Sequence, residues 1–275
     1  MQAFDKTRRR SLKDRNDKSR LEGGSDAGVC EMELTACRDC PLQDCDSFRP
    51  HSAETLQFLQ QFKQGEAAFG KGETVLAQGG KAPHLHTVLA GLLIRFRSLE
   101  DGRRQIVNFM FPGDLVGLQG AFDDDLAHSV EALIAARLCV FPRNDFYSLM
   151  RSHPELGYDV VWLAAKEETA LEEHLTAVGQ RTARERVAYL AVWLLDRALA
   201  TGIADQDNRL DLPITQAQIA DMLGLSLVHT NRTLKSLREE GLVEWTPGEL
   251  RVADMDAACE YAQYSPTRHR KRPFI

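Results

Sequence analysis

Long apolar runs are absent from this sequence of 275 residues. No stretch approaches the roughly 18 apolar residues that a membrane-spanning helix needs, so we expect no membrane partner. The basic, polar start, with arginines at 8–10, is followed by no apolar segment of the kind that a secretory signal carries. We therefore expect the protein to act in the cytoplasm.

Net positive charge is also lacking, because 34 Lys and Arg stand against 40 Asp and Glu, a formal net charge of −6. This balance does not exclude a nucleic-acid partner, since phosphate contacts depend on charges within roughly 8–10 Å. The acidic residues concentrate at 123–125 and 167–173, whereas Arg232, Lys235 and Arg251 lie in another part of the chain. The charge pattern therefore permits a local basic surface.

Cysteine is scarce, yet four of the six cysteines lie between positions 30 and 45. Cys37, Cys40 and Cys45 have the spacing Cys-x2-Cys-x4-Cys, and a distant Cys139 lies in a predicted strand. In a cytoplasmic protein, such crowding favours a metal or redox site over disulfides.

Short apolar runs separated by glycine-containing turns extend from Ala68 to Phe141. We predict strands at 75–76, 87–89, 92–94, 106–109 and 138–141. Many short strands at this spacing favour a barrel or jelly roll. Residues 29–153 are thus predicted to form the cysteine loop and a β-barrel sensor domain, with a short helix at 54–63.

The rest of the chain is predicted to be mainly helical, between two tails. Residues 1–28 lack apolar periodicity, which indicates a disordered basic tail. Residues 154–180 form a long helix that suits a dimer seam, with apolar residues near a coiled-coil period: Leu156, Val160, Leu163, Leu171, Leu175 and Val178. A DNA-binding domain is predicted for 181–260, beginning with a helix at 184–200, and a flexible tail for 261–275.

Residues 213–241 have the pattern of a helix-turn-helix. Thr215 is a good N-cap, and Gln218 completes a capping box. Gly224 stands where a left-handed turn residue is needed, and Ser226 caps the second helix. The segment from 241 to 252 is typical of a two-stranded wing.

The second helix of this motif has a buried and an exposed face. Thr230, Leu234 and Leu237 are expected to face inward. The exposed face carries side chains suited to base edges and phosphates, namely Val228, His229, Asn231, Arg232 and Lys235. Thr215 and Gln216 are placed for phosphate contacts at the start of the first helix.

Barrel, long helix and winged helix-turn-helix, in this order, resemble the Crp/Fnr family of bacterial transcription regulators over roughly residues 30–260. The most specific segments are Pro112-Gly-Asp-Leu-Val-Gly117 and Ile219-Ala-Asp-Met-Leu-Gly-Leu-Ser226, together with Arg232. The resemblance implies an α+β fold with a double-stranded β-helix (jelly-roll, cyclic-nucleotide-binding-like) barrel, a dimerisation helix and a C-terminal winged helix-turn-helix. It also implies a homodimer that binds palindromic promoter sites on double-stranded DNA, recruits RNA polymerase and has no enzymatic activity.

Family members that bind cyclic nucleotides hold the ligand with a Gly-Glu pair and an Arg-Ser pair. The matching positions here are Gly117-Leu118 and His128-Ser129. The ribose-binding glutamate and the phosphate-binding arginine are therefore missing, and the acidic residues at 123–125 would repel an anion. We expect no cyclic nucleotide.

The cysteine pattern resembles the ligand set of the oxygen-sensing Fnr branch. The resemblance implies a 4Fe–4S cluster on Cys37, Cys40, Cys45 and Cys139, because such clusters take four thiolates. Loss of the cluster to oxygen would shift the monomer–dimer balance and so change DNA affinity.

Other uses of these residues stay open. The same thiols suit zinc. Without a metal, Cys139 is a small buried residue, and the regulator answers another ligand or its own abundance. Cys30 can replace one member of the set, and His84 and His86, on one face of a strand, suit haem. A barrel enzyme of the cupin type is disfavoured because the histidines and carboxylate that its metal needs are not grouped.

The Fnr branch carries Glu-x-x-Ser-Arg in its reading helix. The matching positions here are Val228, Asn231 and Arg232. Arg232 suits guanine, Asn231 suits adenine, and Val228 suits a thymine methyl group. We therefore expect a half-site that differs from the usual Fnr half-site.

Overall fold

The computed structural model describes residues 34–122, 125–204, 207–266 and 271–275. The predictions for residues 1–28 and for Cys30 lie outside these ranges. The helices are α1 (Ala53–Phe62), α2 (Phe146–Ser152), α3 (Pro154–Gln180), α4 (Ala183–Ala200), α5 (Gln216–Leu223), α6 (Leu227–Glu239) and α7 (Met255–Ala262). Among the helices of these ranges, none is long and apolar enough to cross a bilayer.

Eight strands form a barrel of two antiparallel four-stranded sheets with the orders β1-β8-β3-β6 and β2-β7-β4-β5. They are β1 (Gly65–Phe69), β2 (Thr74–Leu76), β3 (His84–Ala90), β4 (Leu93–Ser98), β5 (Arg104–Met110), β6 (Leu115–Val116), β7 (Ser129–Ala132) and β8 (Ala136–Pro142). The five predicted strands are present. Sequence reasoning missed β1, β6 and β7, which are short or carry charged residues.

Helix α3 begins at Pro154, which supplies the fixed φ that suits a first helical turn. Leu156, Val160 and Leu163 are buried, and the first two pack in the cluster that holds barrel residues. The prediction that these three belong to a dimer seam is therefore wrong, because the helix uses that face within its own chain. Val161 and Leu175 are exposed instead.

The DNA-binding domain is built around α4, most of whose apolar side chains are buried. Strands β9 (Arg209–Leu212), β10 (Glu244–Thr246) and β11 (Gly248–Arg251) form a sheet in the order β10-β11-β9. The predicted wing is present, and β9 is an addition that the sequence did not indicate. The domain contacts the barrel through a 2.7 Å ion pair between Arg104 Nε on β5 and Asp221 Oδ2 on α5.

The prediction of a flexible tail is wrong for residues 271–275. Phe274 and Ile275 are buried, and Arg272 forms an isolated parallel bridge with Phe48. The segment is held because two apolar side chains enter the cluster beside the barrel and Arg272 pairs with the buried Asp114.

Candidate DNA-reading surface and cysteine site

The helix-turn-helix has the local structure that its sequence predicts. The Thr215 side chain accepts from the Gln218 backbone N–H, and the Gln218 side chain accepts from the Thr215 backbone N–H at 2.8 Å. Gly224 adopts φ 64°, the left-handed region that favours glycine. Ser226 Oγ accepts from the backbone N–H of His229 at 3.2 Å. These three features fix the start of α5, the turn and the start of α6.

Helix α6 separates into the two predicted faces. Thr230, Leu234 and Leu237 are buried, as is Thr233, which the sequence did not single out. Each side chain predicted to read DNA is exposed: Val228, His229, Asn231, Arg232 and Lys235.

Some of the charged side chains on this surface already form ion pairs within the chain. Lys235 Nζ lies 3.7 Å from Glu239 Oε1, and both side chains are largely exposed. A phosphate would therefore compete with Glu239 for Lys235. Arg232 has no ion-pair partner among the residues that the structure describes, so its guanidinium is available to a base. In the wing, Arg209 is paired with Asp211 and Glu249.

The start of α5 offers a second kind of contact. Thr215 and Gln216 are exposed, but the Thr215 hydroxyl is engaged with Gln218 in the capping box. The groups left for a phosphate are the first backbone N–H groups of the helix and the Gln216 side chain, where the helix dipole favours an anion.

The cysteine loop, which we define as residues 37–51, is held to the barrel by a buried ion pair. Lys63 Nζ lies 2.6 Å from Glu66 Oε1, with side chains 3% and 0% exposed. Lys63 also donates to the carbonyl of Thr35 at 2.9 Å, and the Thr35 N–H donates to Glu66. The backbone N–H of Cys37 donates to Gln60 Oε1 at 2.7 Å. These bonds hold the start of the loop against α1 and β1.

Three of the four predicted cysteine ligands lie around this ion pair. Cys139 on β8 stands opposite Glu66 in the sheet register. Burial raises the pKa of the Cys139 thiol to about 12, while Lys63 opposes that rise and the charges of Cys40 and Cys37 add to it. Burial likewise raises the pKa of Cys37 and of Cys40. The thiols are therefore neutral near pH 7 unless a cation binds them.

Cys45 lies beside the segment that follows α4. A β-carbon built on Gly202, just beyond α4, would lie 3.7 Å from Cys45 Sγ. All four cysteines nevertheless contact or belong to one apolar cluster. Within the described ranges, no group of three or more His, Cys, Asp or Glu residues is arranged to hold a metal ion.

The barrel pocket beside Gly117, Leu118 and His128 is small. A cavity of about 140 Å³ is lined by Gly117, Leu118, His128 and Glu167, among others. His128 is buried, and burial together with Arg95 and Arg97 lowers its pKa to about 4. The residue that replaces the phosphate-binding arginine is therefore uncharged near pH 7.

The two histidines on β3 lie near each other, with ring centroids 6.3 Å apart. His86 is buried, and burial lowers its pKa to about 4. Its Nδ1 has no hydrogen-bond partner in the part of the chain that the structure describes.

A buried polar network, which sequence reasoning missed, joins the barrel, α3 and α4. Arg95 lies 2.6 Å from Glu167, and Asn108 Nδ2 donates to Glu167 at 2.9 Å. Asn108 Oδ1 accepts from His174 Nε2 at 3.2 Å. Neutral His174 then accepts the Tyr189 hydroxyl through Nδ1, at 2.7 Å. Burial lowers the pKa of His174 to about 3, so the neutral form is the one that bridges.

Comparison with known proteins matches both domains. Residues 66–153 match the cyclic nucleotide-binding domain, and residues 185–260 match the Crp-like helix-turn-helix domain. The transcriptional activator protein FnrL of Cereibacter sphaeroides is 30% identical over 76% of this chain and 84% of its own length. The nitrogen fixation regulation protein FixK of Bradyrhizobium diazoefficiens is 29% identical over 79% of this chain and 90% of its own.

A solved structure gives the same result. FixK2 from Bradyrhizobium japonicum aligns with a TM-score of 0.63 and 25% identity over 71% of this chain and 96% of its own. The predicted α+β fold, with a jelly-roll barrel, a long helix and a C-terminal helix-turn-helix, is confirmed. These relatives are regulators and not enzymes. The chain belongs to the Crp/Fnr family of DNA-binding transcription regulators.

Proposed function

We propose that the protein is a dimeric regulator that senses oxygen or redox state at its cysteine loop and responds by changing its affinity for palindromic promoter DNA, where it recruits RNA polymerase. The family supports the DNA-binding part. The sensing part is supported by one observation: Cys37, Cys40 and Cys45 pack against the apolar cluster that contains the buried Cys139.

The exposed face of α3 supports the dimer. Val161 is 58% exposed and Leu175 is 73% exposed. They are separated by two heptads, so they lie on the same stripe of the helix. Large apolar side chains exposed in one stripe are typical of an interface.

The donor chemistry fits a 4Fe–4S cluster on Cys37, Cys40, Cys45 and Cys139, because the four thiols contact or belong to one apolar cluster. Cys45 also lies beside Gly202, just beyond α4. When bound, a cluster supplies oxygen sensitivity, since oxygen oxidises exposed iron and sulfide. Lys63 and Glu66 hold the start of the loop against α1 and β1, and Lys63 would provide a positive charge near the thiolates.

Iron analysis tests this proposal. The protein is purified without oxygen from cells competent in cluster assembly, its visible spectrum is recorded, and iron and acid-labile sulfide are counted. We expect about four of each per chain and a loss of both in Cys45→Ser. Cys259→Ser is the matched control, because Cys259 is a buried cysteine on α7 in a different apolar cluster.

A regulator without a cluster is the second candidate. It is favoured because no group of three or more His, Cys, Asp or Glu residues in the described ranges is arranged to hold a metal ion. A colourless, iron-free protein would establish this candidate in place of the first, whereas a full cluster in Cys45→Ser would mean that Cys30 or another residue is the fourth ligand.

We also propose that no cyclic nucleotide binds. The cavity of about 140 Å³ is smaller than the roughly 300–1,000 Å³ of typical ligand pockets. Leu118 and a neutral His128 replace the carboxylate for the ribose and the cation for the phosphate. The arginines that also line the cavity are already paired, Arg95 with Glu167 and Arg272 with Asp114. Titration calorimetry with cyclic AMP should give no binding heat.

A further inference from the structure

Residues 271–275 contact the cysteine loop through their backbone. The Arg49 N–H donates to the carbonyl of Arg272 at 2.8 Å, and the Arg272 N–H donates to the carbonyl of Ser47 at 2.8 Å. This pair of bonds forms a short parallel bridge between two segments from opposite parts of the chain. The last part of the cysteine loop therefore has its position set by this segment.

Aromatic packing extends the contact to a turn of the barrel. The rings of Phe48 and Phe274 meet edge to face, with centroids 5.5 Å apart. Phe48 also covers Gly113, where a β-carbon would lie 2.2 Å from its ring. Gly113 has φ 82°, so this turn requires glycine both for its backbone conformation and for the approach of Phe48.

Ion pairs continue the contact into the DNA-binding domain. Asp114, whose side chain is 6% exposed, pairs with Arg272 and with Arg197 on α4, the latter at 2.8 Å. Although burial opposes its ionisation, these two arginines hold the pKa of Asp114 below its usual value. A third link leads to α3, where Arg49 pairs with Asp159. One carboxylate thus joins the barrel, the 271–275 segment and α4.

We propose that residues 271–275 form an internal strap through which the state of the cysteine loop acts on the Asp114–Arg197 contact, and thereby on the position of the DNA-binding domain. A change in the loop displaces Phe48 and the strap together, because their backbones are bonded and their rings are packed. The strap carries Arg272, so its movement alters the charges around Asp114. The inference rests on the proposed regulation of DNA binding by the loop, but it does not depend on which ligand the loop takes.

The test distinguishes an effect carried by the strap from a direct effect of a modified Cys45 on the DNA-binding domain. Cys45 lies beside Gly202, so all variants carry Cys45→Ser and Cys30→Ser, which leaves Cys37 and Cys40 as the loop thiols to be alkylated with N-ethylmaleimide. DNA affinity is measured by fluorescence anisotropy, before and after alkylation, on a duplex selected from a random-sequence library. The parent and the control Lys271→Ala should show a change of at least about five-fold, the lower end of typical allosteric coupling.

The strap variants are Arg272→Ala and Phe274→Ala. Arg272→Ala leaves Asp114 paired with Arg197, so the fold should survive, and a thermal melting curve checks this for each variant. In both variants we expect alkylation to change DNA affinity less than about two-fold, whereas the parent should show a change of at least about five-fold. We also expect faster hydrogen exchange at 46–51, because a strap that is held less firmly opens its backbone bond to the Arg49 amide more often.

Two results would overturn the strap. One is an equal effect of alkylation in the parent and in folded strap variants, and the other is no effect of alkylation in the parent. Neither depends on iron, so the strap can fail while the cluster stands, and an iron-free protein leaves this test intact. A parent that binds no selected duplex would instead contradict the proposed function.

Discussion

Helix α6 is fixed by residues close to it in sequence, whereas the cysteine loop is fixed by residues far from it. The start of α6 is set by Ser226, which accepts from a backbone N–H three residues later. The start of the loop is set by a bond between Thr35 and Glu66, 31 residues apart, and its end by the bridge to Arg272.

This difference separates the two tasks of a regulator. Side chains on the outer face of α6 are exposed, so we expect substitutions there to change which DNA is bound without changing the fold. The loop has no such freedom, because its position depends on the barrel, on α3 and on the strap. If the loop receives the signal that we propose, a change there should alter contacts elsewhere in the molecule, whereas a change at α6 should stay local.

The largest effect is expected at Asp114, where side chains from distant parts of the chain form ion pairs. Asp114→Asn leaves Arg197 and Arg272 without the carboxylate that they share, and both side chains are mostly buried. Removing one partner from a buried ion pair should lower the free energy of unfolding by about 3–5 kcal/mol. Urea denaturation measures the loss, with Asp221→Asn as control.

Asp221 is a suitable control because it also joins the barrel to the DNA-binding domain, through Arg104, but both side chains are about 30% exposed. Its loss should cost less than about 1 kcal/mol. Similar losses in the two variants would mean that burial does not determine how much the ion pairs of Asp114 contribute to the free energy of unfolding.

The second effect concerns α6 alone. Arg232→Ala should weaken DNA binding by about 1–3 kcal/mol and relax the preference at one base position, because its guanidinium is exposed and unpaired among the described residues. Lys235→Ala should weaken binding to every sequence alike, as expected of a phosphate contact. Anisotropy across a set of half-site variants measures both. Equal losses on all half-sites for Arg232→Ala would exclude base reading.

The local character of α6 explains why its structure could be predicted from sequence. The capping box at Thr215, the left-handed Gly224 and the Ser226 cap each depend on neighbours within three or four residues. The barrel strands were predicted for a similar reason, since apolar runs and glycine turns are local signals. The strands that were missed are short or carry a charged residue, and β7, for example, is defined mainly by its pairing with β2 and β4.

The cysteine loop and the strap could not be predicted in the same way. The spacing of Cys37, Cys40 and Cys45 indicated a site, but not that Cys45 would face Gly202. Phe274 stands in a basic, polar segment whose local pattern indicates a tail. Its burial depends on Phe48 and on Asp114, and no local signal links these residues.

The third effect is the contribution of His174, in the buried polar network, to the pH dependence of the free energy of unfolding. The pKa of His174 is about 3 in the folded protein, below the 6.5 of an exposed histidine. The unfolded chain therefore binds a proton that the folded chain excludes, so this stability is present above pH 6.5 and is lost as pH falls toward 3. Between pH 7.5 and 5.5 the loss from His174 is about 1.4 kcal/mol.

Urea denaturation at both pH values measures this loss. His174→Gln should reduce the pH dependence by that amount, whereas His229→Gln, on the exposed face of α6, should leave it unchanged. An unchanged pH dependence in His174→Gln would mean that the other buried histidines, such as His86 and His128, account for it.

The smallest effect is expected at the start of α6. It tests whether the structure of this helix depends on residues close to it in sequence. Ser226→Ala removes the hydroxyl that accepts from the His229 N–H and should lower the free energy of unfolding by about 1 kcal/mol. Ser236→Ala, in the interior of the same helix, loses only a bond to the exposed Glu240 and should be neutral, because alanine favours a helix interior.

Ser226→Ala should also weaken binding to all DNA sites alike, since the whole start of α6 is loosened. Alkylation of Cys37 and Cys40 should proceed at the parent rate in both variants, because the hydrogen bonds of Ser226 among the described residues stay within α6. A faster rate in Ser226→Ala would show that a change at α6 reaches the cysteine loop.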